Sequence, residues 1–96
     1  MEPRYISLTE FCTCHEIQHS FIHSLSEHGL VEITVIEENE FLEQEQIREL
    51  EKMMRLHYDL EINIQGIDAI NHLLQRVSQL QDRVRLLENR LRRFEE

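Results

Sequence analysis

SLTEFCTCHEIQHSFIHSLSEHGLV, residues 7–31, carries two apolar faces that a single helix cannot hold. Ser7 stands as an N-cap before Leu8-Thr9-Glu10, and Glu10, three residues on, completes the signature of a capping box. A helix started there puts Leu8, Phe11 and Cys12 on one face. Ile17, Phe21, Ile22 and Leu25 form a second face in a different phase, so a new helix begins near Gln18. Gly29 is a natural C′ residue to end it. The stretch predicts a helix, a tight turn made by Cys14-His15-Glu16, and a second helix: the proportions of a helix-turn-helix.

The same stretch invites a metal reading, because Cys12, Cys14, His15, His19 and His23 crowd together. His19 and His23 are four apart and share a helical face, as a ligand pair requires. Cys12, however, belongs to the apolar face, where a free cysteine acts as a small buried hydrophobe, and Cys14 points elsewhere. No metal and no cofactor is expected. Histidines beside glutamates also suggest a pH switch, for which solvated helix positions are the plainer account. There is no Gly-rich phosphate loop and no nucleophile elbow, and an enzyme is not expected.

On either side the patterns change. Tyr5-Ile6-Ser7 reads as a short strand. Leu30 to Phe41 alternates through Val31, Ile33 and Val35 and then meets the polar tip Glu37-Glu38-Asn39-Glu40. This predicts a small two-stranded wing whose first strand is the better marked. From Leu42 to about Leu60 the spacing of Ile47, Leu50 and Met54, with Met53 and Leu56 beside them, is helical. Asp59-Leu60-Glu61-Ile62 breaks that pattern, and Asn63 is placed to cap a last helix.

The last helix is the clearest element. Ile70, Val77, Val84 and Leu91 recur every seven residues, with Leu73, Leu80, Leu87 and Phe94 three after each. These are a and d positions, and β-branched residues at a with leucine at d favour a two-stranded parallel coiled coil. Arg76, Arg83 and Arg90 fall at g, and Gln81, Glu88 and Glu95 at e, so a parallel pair sets Arg83 against the partner's Glu88. Each such exposed pair is worth only about 0.2–1 kcal/mol. From Ile64 to Phe94 the helix spans roughly 45 Å at 1.5 Å per residue, longer than a small head is wide, so part of the stripe needs a second chain. The division is a head over 1–62 and a dimerisation helix over 63–96.

With 96 residues and a net charge of −9, the chain is one small domain, or a domain with an extension. No apolar run reaches the length of a membrane span, no signal-peptide layout is seen, and two close cysteines suit a reduced cytosol. A cytoplasmic protein without a membrane partner is expected. The charge is unevenly spread: residues 5–47 hold nine glutamates and no Lys or Arg, while residues 48–96 balance nine Lys/Arg with nine Asp/Glu. Such a head repels phosphate and attracts a basic partner.

Thr9-Glu10-Phe11-Cys12, Gly29-Leu30-Val31-Glu32 and Leu56-His57-Tyr58-Asp59-Leu60, leading into Ile62-Asn63-Ile64-Gln65-Gly66-Ile67 and the leucine heptads, together resemble a CbpM-type chaperone modulator. That family is a small offshoot of the MerR-like winged helix-turn-helix regulators, and INIQGI also occurs in true MerR-like regulators. The resemblance implies a mainly α fold: a winged helix-turn-helix head and a long C-terminal coiled-coil helix. It also implies binding to the J-domain of a DnaJ-like co-chaperone (CbpA), restraining its work with Hsp70 and its DNA binding. J-domains expose a basic helix, which an acidic competitor would suit. MerR-like relatives usually pair their tails antiparallel, against the preference of the g and e charges here.

The candidate partner surface comprises Glu16, His19, His23 and Glu27 with the wing glutamates Glu37, Glu38 and Glu40. The Leu56–Ile70 corner is a second. The candidate dimer interface is Ile70, Leu73, Val77, Leu80, Val84, Leu87, Leu91 and Phe94. The alternative is a MerR-like transcription regulator that binds DNA, kept open by Arg83, Arg85, Arg90, Arg92 and Arg93 in the tail. A DNA reader needs cations on its second helix and wing, where this chain has none, so direct DNA binding is not expected. A plain dimerisation module is the third option.

Overall fold

The computed structural model describes residues 4–95. In chain order these form β1 (Tyr5–Ser7), α1 (Leu8–His15), α2 (His19–Glu27), β2 (Thr34–Ile36), β3 (Asn39–Glu43), a 3₁₀ turn (Gln44–Gln46), α3 (Ile47–Met54), a π-helical turn (Arg55–Asp59) and α4 (Ile64–Glu95). The fold is mainly helical, with a small antiparallel sheet and a long C-terminal helix, as a winged helix-turn-helix requires.

Ser7 Oγ accepts the Glu10 N–H at 3.5 Å and starts α1. The helix runs on through Cys14 and His15, into the predicted turn, because Glu16 closes it in a left-handed conformation with φ 55° and Ile17 N–H reaches back to the Cys12 carbonyl at 3.0 Å. The turn is therefore Glu16-Ile17-Gln18, displaced toward α2 from the one the sequence suggested. At the end of α2, Gly29 adopts φ 72° and Leu30 N–H bonds the Leu25 carbonyl at 2.9 Å, the six-to-one bond of a Schellman cap.

The hairpin has the two strands expected, and the predicted Tyr5–Ser7 strand joins them: β1 pairs with β3, which lies between β1 and β2 (Ile6 opposite Leu42, Val35 opposite Glu40). The wing differs from expectation in two ways. The first hairpin strand is the shorter one. Its predicted start around Leu30–Ile33 makes no ladder, because the side-chain amide of Gln46 takes the place of a strand: Glu32 N–H donates to Gln46 Oε1 at 2.7 Å and Gln46 Nε2 donates to the Glu32 carbonyl at 2.9 Å. Leu42, read as the first helical residue, instead points from β3 into the core, and the helix proper begins at Ile47.

Leu8, Phe11 and Cys12 from α1, Ile22 and Leu25 from α2, Leu42, Leu50 and Met53 are buried together, and Ile67 of α4 completes the core. A π-turn, closed by Leu60 N–H on the Arg55 carbonyl at 3.3 Å, turns the chain toward α4. Asn63 Oδ1 then accepts the Gly66 N–H at 2.8 Å and caps α4. Gly66 must lack a side chain: a Cβ there would lie 2.7 Å from Ile62 Cγ2. Beyond the half-buried Ile70, α4 leaves the head, and the molecule measures 59 × 36 × 21 Å. Leu73, Val77, Leu80, Val84, Leu87 and Leu91 are 47–62% exposed in the single chain and Phe94 is 90% exposed.

Candidate functional site

α2 and the hairpin bring part of the predicted acidic surface together. His23 Nε2 lies 2.8 Å from Glu40 Oε2, tying α2 to β3. A carboxylate only accepts, so Nε2 carries the proton of that bond. The hairpin closes through Glu37 and Glu38, both at positive φ (49° and 67°), between the paired Ile36 and Asn39. Two successive left-handed residues define a type I′ turn, which ordinarily selects Asn-Gly. A side chain there costs roughly 1–2 kcal/mol per residue. Replacing Glu37 with Asn and Glu38 with Gly should thus raise stability by about 1 kcal/mol after glycine's entropic cost, read as a higher denaturation midpoint.

The seven predicted residues do not form one patch. At about 100° per residue, His19, His23 and Ser26 make one flank of α2, and Ser20, Phe21 and Ser24 the other, with Glu27 between. The wing meets the first flank. Glu16 falls beside the second, where the chain enters α2. His19 and Glu27 are exposed at the two ends of the helix. Glu27 occupies the last turn, where the helix dipole favours a cation.

On the second flank lies an aromatic cluster that the sequence did not announce, because Phe21 is far in sequence from His57 and Tyr58. The His57 ring stacks on Phe21 at 4.6 Å, and Tyr58 meets both edge-on at 5.3 and 4.9 Å. His57 Nδ1–H donates to the Ile62 carbonyl at 2.9 Å, which fixes the ring at the joint with α4. Tyr58 is left 46% exposed. It separates two open hollows of about 540 and 400 Å³, and Glu16 lines both. The Leu56–Ile70 corner thus contributes its aromatic residues to this flank.

The cysteines part company. Cys12 is in the core, where burial pushes its thiol pKa up and the Glu40 carboxylate adds to the effect, so the reactive thiolate is disfavoured. Cys14 is exposed. Among the described residues no three His, Cys, Asp or Glu side chains gather as a metal site, and no helix is long and apolar enough to cross a membrane. Neither α2 nor the hairpin carries a Lys or Arg.

Comparison with curated proteins and with solved structures gives no match. The family model described as "MerR HTH family regulatory protein" matches residues 6–89, which span both the helix-turn-helix head and most of α4. The chain therefore belongs to the MerR HTH family of regulatory proteins.

Proposed function

We propose that this chain is a protein-binding regulator, a cytoplasmic homodimer and not an enzyme, that inhibits a DnaJ-like co-chaperone of the CbpA type by covering its J-domain. The position of the acid carries this reading. Glu16, Glu37 and Glu38 hold left-handed backbone that Gly or Asn would adopt at lower cost, so local stability does not account for them. Carboxylates kept against that cost, on a helix-turn-helix with no cation on α2 or the wing, suit a basic helix and repel a phosphate backbone. The bare heptad stripe from Leu73 to Phe94 supports pairing with a second copy as a coiled coil.

A second reading, a DNA-binding transcription regulator, is favoured by the family itself and by Arg83, Arg85, Arg90, Arg92 and Arg93 at the tail. Fluorescence anisotropy with a purified CbpA-type J-domain and with duplex DNA separates the two. Binding to the J-domain that weakens as salt rises supports the first reading. Changing Glu37, Glu38 and Glu40 together to Gln removes three rim charges and should weaken that binding about 5–30-fold at low salt. Sequence-specific DNA binding with no J-domain affinity would sink it.

A further inference from the structure

We propose that the hollows on either side of Tyr58 seat a cationic amphipathic helix of the partner protein, making this flank of α2 the anchoring part of the interface and the wing its steering part. The inference rests on the proposed binding of a J-domain through its basic helix.

Four features of the flank point the same way. The Tyr58 ring packs against Phe21 and His57 and is left 46% exposed, so it stands as a supported aromatic surface that a partner can reach. The larger hollow beside it has an apolar lining from Ile17 and Met54. Glu16, Glu51 and Asp59 line the same hollow, and none of them forms an ion pair among the described residues. Arg55 is the one Lys or Arg in the lining, so carboxylates outnumber it.

A side chain that fits such a place needs an apolar stem and a cationic head, which describes Lys and Arg. The stem lies on Ile17 and Met54, the head reaches Glu16 or Asp59, and the face of Tyr58 attracts the same cation. Residues three or four apart on a helix lie about 5–6 Å from one another, so neighbouring cations on one helical face can straddle the ring, one in each hollow. A phosphate-bearing partner is disfavoured by the same carboxylates. The wing glutamates, on the opposite flank, attract such a helix from a distance but offer it no hollow.

The deciding experiment titrates a purified CbpA-type J-domain against the full-length wild type, Tyr58→Ala, Tyr58→Phe and Glu16→Gly, with thermal melting and sedimentation of each. Tyr58→Ala should weaken binding about 30-fold or more, as expected for a central aromatic anchor. Tyr58→Phe keeps the ring face and should stay within about 2-fold. Glu16→Gly relieves the left-handed backbone, so it should melt at a higher temperature and yet bind about 5-fold more weakly. A purely structural residue cannot move both readouts in that sense. Wild-type binding that Tyr58→Ala and Glu16→Gly leave unchanged overturns this docking site and spares the proposed function. Absence of wild-type binding overturns both. A change of oligomeric mass in Tyr58→Ala would assign the hollows to a second copy of this chain and overturn the proposal too.

Discussion

Glutamate at both Leu80 and Leu87 should turn the proposed dimer into a monomer at micromolar concentration and melt the outer part of α4. Both residues are d positions on the bare stripe, 53% and 60% exposed in the single chain. Burying a leucine is worth about 1.5–3 kcal/mol, so the four leucines of a symmetric pair account for roughly 6–12 kcal/mol. A micromolar dimer rests on about 8 kcal/mol, and the substitution also asks charges to enter the seam. Without a partner, the helix beyond Ile70 is a single solvated segment that has lost the packing of its apolar face, from which most helix stability comes. Sedimentation velocity should show the mass fall by half, and far-UV circular dichroism should show helix lost. Leu86→Glu adds the same charge at an exposed position off the a and d stripe and should change neither. A dimer that survives the double change places the interface elsewhere.

Ile67→Ala should cost about 2–5 kcal/mol, the range for emptying a fully buried aliphatic site. Ile67 has no exposed surface and is the one α4 residue of the buried core. In a domain this small, each kcal/mol moves the melting temperature by about 4–8 °C, so a drop of roughly 8–40 °C is expected. The loss should appear in the head. The tail, held by its partner in the proposed dimer, keeps its helix. Ile70→Ala, at a half-buried position one turn on, should cost clearly less. Equal losses at the two positions would show that α4 is anchored by its whole inner face and not by Ile67.

What could be read from the chain was what neighbouring residues determine. The faces of α1 and α2, the Gly29 stop, the Asn63 cap and the heptads of α4 all rest on contacts within a few residues, so periodicity and capping chemistry reveal them. Periodicity also separated the buried Cys12 from the exposed Cys14. The misreadings share a cause, a distant group that takes over a local pattern. Leu42 continues a helical spacing, yet Ile6 claims it for the sheet. Val31 and Ile33 alternate like a strand, yet the Gln46 amide occupies the backbone between them. The candidate surface is divided in space for the same reason. Glu16 and His23 are seven residues apart, close to two helical turns, and would share a face if α2 began earlier. Because Glu16 ends α1 in a left-handed turn, it falls on the flank away from the wing. The aromatic flank was hidden because Phe21 meets His57 and Tyr58 only after the π-turn folds back.

Gly66 gives the joint between head and tail mechanical leverage. A Cβ there would come within 2.7 Å of Ile62 Cγ2, so any larger residue must push Ile62 or the first turn of α4 aside. Over a shaft of roughly 45 Å, a tilt of about 10° at this pivot swings the far end by about 8 Å, more than one helical pitch. In the proposed dimer, a substitution at Gly66 that tilted α4 would change the distance between the two heads.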